Sequence, residues 1–266
     1  MKRNFKRVLA IGYSLLAAVI SGLLCLLGLN VYADMYIESK TTHNAPDKAG
    51  LEELEKAYVT ADKMKIALSD GEIIIFRLDK GLMWNIDSSS KTYAETTFKE
   101  LKESAQQSMK DMQEAMAKMS PEERKEMEQF MPQFDISKKT EVKIEKKGEK
   151  GDVSGYKCEL IIATTDTTRS EMWVTEQIKY DKDAKKFFEA MSSIFSDIPS
   201  FQEMASMYQT LTKIEGVPME TITTVTMGYE SYSSTSIVSN VEQKKINDSE
   251  FDLPVGLKKV RLEEAP

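Results

Sequence analysis

Read as a pattern of apolar and polar positions, the chain divides into alternating blocks of two periods. Lys63-Met64-Lys65-Ile66-Ala67-Leu68 alternates with period two, the mark of a strand with one buried face. Glu72–Arg77, Leu82–Ile86 and Lys91–Glu95 continue as strands. Ser69-Asp70-Gly71, Asp79-Lys80-Gly81 and Asp87–Ser90 punctuate them as tight turns, so the segment reads as an antiparallel meander. Asp34–Thr42 supplies an earlier strand, and Tyr58-Val59-Thr60 leads into Lys63.

From Thr97 the period changes to that of a helix. Phe98, Leu101, Ala105, Met109, Met112, Met116 and Met119 recur three or four residues apart and form one apolar stripe. Ser120-Pro121-Glu122-Glu123 has the form of a second helix start, with Met127, Phe130 and Met131 on its apolar side and Pro132 at its end. Strands return at Glu141–Glu145, at Tyr156–Thr164 and at Glu171–Thr175, with Gly148–Gly155 as a polar turn. Two more helices follow. One carries Phe187, Phe188, Met191, Ile194 and Phe195. The other opens at Ser200, carries Phe201, Met204, Tyr208 and Leu211, and stops at Gly216 and Pro218. Met219–Tyr229 and Ser234–Lys244 are strands rich in threonine and serine, and Phe251–Pro254 closes the domain. Runs of strands and runs of helices, without strict alternation, predict an α+β fold with an antiparallel sheet.

The first 33 residues stand apart. Lys2, Arg3, Lys6 and Arg7 precede an uncharged apolar run, Val8–Leu29, and then Val31-Tyr32-Ala33. This is the layout of an export signal cleaved after Ala33, which would place the rest in the periplasm or cell envelope. The run is also long enough to stay as an anchor in the inner membrane, so residues 8–29 leave two readings open. Leu24 before Cys25 argues against a lipoprotein signal.

Charge narrows the partners. Without those four basic residues the chain has 32 basic against 43 acidic residues, a net charge of −11. That excludes nucleic acid as an expected partner and argues against simple adhesion to anionic lipid, so membrane contact would be transient unless the N-terminal segment stays.

Candidate chemistry is sparse. His43 is the sole histidine and falls in the loop-like stretch Thr42–Pro46, a poor base for a Ser-His-Asp site. Beyond the N-terminal 33 residues, one histidine and one cysteine (Cys158, read as a buried thiol) are too few for a zinc site. Neither a calcium loop nor a glycine-rich phosphate cradle is present. With 43 acids, no carboxylate pair is informative as a glycosidase. The expectation is no catalytic residue, no metal and no cofactor. What remains is the methionine stripe, since methionine packs adaptably at apolar surfaces.

Gly71–Arg77, Gly81–Asp87 and Lys91-Thr92-Tyr93 resemble the early hairpins of lipoprotein-carrier-like proteins. Val153–Cys158, Glu171–Thr175, Glu215–Glu220 and Phe251–Gly256 resemble a secreted bacterial family known as a domain of unknown function, DUF4412, similar to the LolA/LolB carriers. The resemblance implies a strongly curved antiparallel sheet, an open half-barrel whose concave face is covered by helices. It implies one carrier-like domain over 34–259, a helical methionine-rich insert at about 97–132 and a polar tail at 260–266. The function implied is a non-enzymatic envelope protein that holds a lipid or acylated peptide. Trp84, Met109, Met112, Met116, Met119, Met127, Phe130, Met131 and Trp173 are the candidate lining or lid. The arginine on which carrier mechanisms lean has no clear counterpart; Arg77 is the nearest. The alternative is a protein-interaction or envelope stress-sensing module with a filled cavity, which meets another envelope protein.

Overall fold

The computed structural model describes residues 34–44, 50–120, 122, 141–178, 182–198, 201–227 and 230–261. The apolar run at 8–29 and the candidate residues Met127, Phe130 and Met131 therefore lie outside the described residues. No described helix is long and apolar enough to cross a membrane.

The strands form a single 12-stranded sheet, open at both edges and bent like a half-barrel, with three helices among the described residues. In chain order the strands are β1 (Met35–His43), β2 (Glu52–Val59), β3 (Lys63–Leu68), β4 (Glu72–Arg77), β5 (Leu82–Asp87), β6 (Thr92–Thr97), β7 (Lys143–Val153), β8 (Tyr156–Thr164), β9 (Thr168–Thr175), β10 (Val217–Met227), β11 (Glu230–Gln243) and β12 (Lys258–Val260). The helices are α1 (Phe98–Ala117), α2 (Lys182–Ser196) and α3 (Gln202–Lys213). Across the sheet the order is β12-β6-β5-β4-β3-β2-β1-β11-β10-β9-β8-β7. Two antiparallel meanders, β1–β6 and β7–β11, thus meet where β1 pairs with β11. Only β12 pairs in parallel, along β6.

The turns are built by the residues that mark them. Asp87 accepts from the Ser89 hydroxyl at 2.5 Å and from the backbone N–H groups of Ser89 and Ser90 at 2.7 and 3.1 Å; the serine side chains first, with the backbone donors, lower its carboxyl pKa to about 2. Thr97 opens α1 with a reciprocal cap: its hydroxyl accepts from the Glu100 N–H at 3.1 Å, and Glu100 accepts from the Thr97 N–H at 2.8 Å. Gly216 links α3 to β10 at φ 118°, and a Cβ there would lie 2.1 Å from the Thr175 carbonyl oxygen, so glycine alone fits.

Register shifts in three pairings bend the sheet: Glu38/Ser39 of β1 against β11, Pro218/Glu220 of β10 against β9, and Lys146/Lys150 of β7 against β8. Their effect is visible at the β7–β8 turn. In a flat sheet β7 and β11 would be four spacings, about 19 Å, apart. Here the Ser154 hydroxyl donates to the Val238 carbonyl at 2.6 Å.

One face carries the main core. Met35, Ile37, Ala57, Val59, Met64, Ile66, Ile74, Phe76, Met172, Val174 and Val217 meet Phe187, Phe188, Met191, Tyr208 and Leu211 of α2 and α3. Phe188 stacks on Tyr208 with ring centres 5.7 Å apart. The opposite face holds a second cluster, Ile75, Trp84, Ile86, Ile246 and Phe251, because the C-terminal segment crosses that side before adding β12. Lys63–Asp248 (2.9 Å) and Lys65–Glu250 (2.8 Å) tie this segment down.

Several local expectations change. Glu52–Val59 is a full strand, although its glutamates conceal the pattern. Gly148–Val153 belongs to β7, and only Ser154-Gly155 turn the chain. This strand lies at the sheet edge with little burial, so glycines and lysines are tolerated there. Pro218 lies in β10, beside its bulge, rather than ending a helix. His43 closes β1 and is buried, not in a loop. Beyond Pro254 the chain still contributes β12.

Candidate functional site

Strand alternation assigns each residue to a face, and cross-strand partners share that face. Met172 of β9 lies opposite Thr221, Thr221 opposite Ser236, Ser236 opposite Thr41, and Thr41 opposite Glu53. These residues therefore belong to the helix-covered face. One step along the strands, Ser170, Thr223, Ser234 and His43 form a second row. Ser39 sits opposite Glu55, and Glu55 opposite Leu68.

The covered face of the five central strands thus has two ends. Met35, Ile37, Ala57, Val59 and Val174 make an apolar end. Ser39, Thr41, His43, Glu55, Ser170, Thr221, Thr223 and Ser236 make a polar end, all buried. Some of the polar groups answer one another: Ser170 and Thr223 share a hydroxyl hydrogen bond at 3.4 Å, and His43 Nε2 lies 3.4 Å from Glu53 Oε2. Others do not. Thr41 Oγ1, Glu55 Oε1 and Thr221 Oγ1 are buried without a hydrogen-bond partner, as are Asn85 Oδ1 on β5 and the Tyr208 hydroxyl on α3. Burial, aided by the charge of Glu53, pushes the Glu55 carboxyl well above the usual carboxylate range. Burial alone does the same to the Tyr208 phenol.

The residues singled out from sequence are not gathered in one place. Trp84 is on the other face, where its indole N–H donates to Glu95 at 2.8 Å and the Arg77 guanidinium stacks 5.8 Å from its ring. Trp173 points to the side of β9 opposite Met172 yet still packs against the main core cluster near the sheet edge, and its ring covers Gly151, whose Cβ position is only 3.0 Å from the indole. Arg77 is committed to Asp79 at 2.6 Å and to the Phe251 carbonyl at 3.1 Å, so it clamps the C-terminal segment and points away from the covered face. Met109, Met112, Met116 and Met119 are half-buried. Helix α1 has no fully buried side chain and meets the main core through Phe98, Leu101 and Ala105. Cys158 is a buried free thiol whose pKa is raised by burial, which suits an inert packing role.

Two further features bear on chemistry. An open groove of about 440 Å³ lies on the outer face beside Tyr36, Tyr58 and Lys244. Of its two lysines, Lys244 is engaged: it pairs with Glu242 at 2.8 Å and sits 4.1 Å above the Tyr36 ring. Among the described residues no group of three or more His, Cys, Asp or Glu side chains is placed to hold a metal ion.

Sequence reasoning missed the polar end. The signal was present: in β1 the phase that carries Met35 and Ile37 continues as Ser39, Thr41 and His43. Period-two polar residues in the buried phase are what mark it.

Residues 124–257 match a family model described as a domain of unknown function, DUF4412. No curated protein matches the chain. Among solved structures, PNGF-II is similar at 11% identity and TM-score 0.35, over 86% of this chain and 31% of PNGF-II. The chain thus spans about a third of that protein. A DUF1329 family protein from Desulfovibrio piger is similar at 14% identity and TM-score 0.33, over 91% of this chain and 96% of that one. A LolA superfamily protein from Nitrosomonas europaea is similar at 9% identity and TM-score 0.30, over 88% and 97%.

Proposed function

We propose that this chain, which belongs to the DUF4412 family, is a non-enzymatic envelope protein that binds a hydrophobic ligand, a lipid or acylated peptide, between its half-barrel sheet and its helices. The observation that carries this reading is helix α1. It is anchored at one end by its Thr97 cap and by Phe98, Leu101 and Ala105, while its methionines stay half-buried and outside the main core. A helix docked by its first turns and lined with adaptable side chains is built as a cover that can move. The N-terminal segment, as export signal or anchor, delivers the domain to the envelope. Affinity would come from apolar burial, roughly 0.8 kcal/mol per methylene.

One observation favours the second reading, an interaction module with a filled interior. Phe187, Phe188, Met191, Tyr208 and Leu211 are each 0% exposed, so the space under α2 and α3 is occupied by side chains. Native mass spectrometry of the protein, purified from its own envelope without detergent, separates the two. A bound acyl species supports the ligand reading. A clean mass that incubation with lipids leaves unchanged overturns it in favour of the interaction module. In the ligand reading Met116→Asp abolishes uptake while circular dichroism and melting show a folded protein. A variant that unfolds outright makes the stripe core and removes the cover.

A further inference from the structure

The buried polar end of the helix-covered face has no role in a purely apolar site. A hydroxyl or carboxyl buried without a partner costs roughly 1–3 kcal/mol, so three together call for a compensating function. Thr41, Glu55 and Thr221 are each 1–2% exposed, and Thr41 Oγ1, Glu55 Oε1 and Thr221 Oγ1 lack partners. The register places them on neighbouring rows of β2, β1 and β10, with β11 between the last two. At one strand spacing each, they span about 15 Å. Along the same strands the face turns apolar, through Ile37 and Ala57 to the side chains of α2 and α3.

We propose that this polar end is a head-group subsite, and that the ligand is an amphiphile with an uncharged, polyhydroxylated head of sugar size. The inference rests on the hydrophobic-ligand reading above and specifies its substrate class. The head lies over Thr41, Glu55 and Thr221, and the chain runs toward Ile37 and Ala57. The chemistry of the rows selects the head. Serine and threonine hydroxyls both donate and accept, as sugar hydroxyls do. Among the described residues these rows hold no lysine or arginine to pair with a phosphate or carboxylate head, His43 already faces Glu53 at 3.4 Å, and the Glu53 charge disfavours an anion. A span of three strand spacings suits a sugar better than a single hydroxyl.

The test uses three probes with the same chain, each below its critical micelle concentration: dodecyl maltoside, dodecanoate and dodecylamine. They are titrated into the full-length protein, its Thr41→Val/Thr221→Val variant and the Thr41→Ser variant. Valine keeps the shape and removes the hydroxyl. The maltoside binds wild type about tenfold tighter than dodecanoate and weakens about tenfold in the double variant, as expected for two lost hydrogen bonds, while Thr41→Ser keeps its affinity. Without ligand the double variant melts at or above the wild-type temperature, because its hydroxyls had no partner to lose. A lowered melting temperature would make them structural and overturn the proposal. Dodecanoate or dodecylamine binding as tightly as the maltoside, or a double variant with unchanged affinity, overturns the subsite and leaves hydrophobic binding standing. Binding of none of the three removes the hydrophobic-ligand reading and this inference together.

Discussion

Replacing Glu55 with glutamine should change how stability depends on pH, in a direction set by the fold. Glu55 is 2% exposed, one carboxylate oxygen lacks a partner, and Glu53 stands two residues away on the same face. Burial first and the Glu53 charge second raise its pKa well above the usual range, so the folded protein keeps a proton that the unfolded chain releases above about pH 4.3. Stability rises with pH only where the unfolded state binds more protons. Here the folded state binds more, so the Glu55 contribution is fully present below the unfolded pKa and is lost as pH rises toward the folded one. The loss is about 1.4 kcal/mol per pH unit for as long as the folded carboxyl keeps its proton. In a domain of this size that is a relative shift in melting temperature of about 3–6 °C per unit. Glutamine does not titrate, and its own unmet amide contributes an offset that is constant with pH. Urea or thermal unfolding of both proteins at half-unit steps from pH 4.5 upward, plotted as a difference, isolates the charge. Glu53 and His43 are present in both proteins and drop out to first order. The variant gains on wild type as pH rises. Parallel curves, or wild type gaining on the variant, would show Glu55 ionised in the native protein and refute the reasoning.

Other expectations follow from single contacts. Gly216→Ala forces a methyl to within 2.1 Å of the Thr175 carbonyl at φ 118° and should cost at least about 3 kcal/mol in urea unfolding; a loss under 1 kcal/mol would mean the α3–β10 link relaxes freely. Phe251→Ala empties the outer cluster and should cost about 3–5 kcal/mol, with early proteolytic cleavage in the segment after Gln243. An unchanged cleavage pattern would show that the ion pairs of Lys63 and Lys65 hold the segment alone. Met116→Asp, on a helix with no buried side chain, should change stability by less than about 1 kcal/mol in the same assay.

The legible parts of the sequence were those where period and burial agree. β3 and the Phe/Met faces of α2 and α3 alternate or recur as their environment demands, and their apolar positions are the core found. β2 was half hidden because Glu53 and Glu55 occupy the inward phase, where pattern reading places apolar residues. β7 was hidden because an edge strand has few neighbours to satisfy and can be written in lysine and glycine. The tryptophans looked like lining because they are large. Only pairing shows that Trp84 belongs to the opposite face, and that Trp173 alternates away from Met172 while packing at the edge of the main core. The polar end was easy to pass over for a related reason: the phase of Met35 and Ile37 does continue as Ser39, Thr41 and His43, but a serine or threonine in a strand reads as solvent-facing until its cross-strand partners are known.

The meeting of β1 with β11 governs how the molecule can be made. Met35 lies opposite Gln243, so nearly the whole described chain must be synthesised before the central strand gains its second neighbour. Until then β1 has one satisfied side, through β2, and one row of open amide and carbonyl groups in the middle of the future sheet. Such a closing contact carries a high loop-entropy cost and folds slowly. The first meander, β1–β6, is local and can form early, but it waits with its longest edge exposed. A chain delivered across a membrane from its N-terminus would spend this interval among other unfolded chains. The pairing of β1 with β11 is the step that removes this open edge.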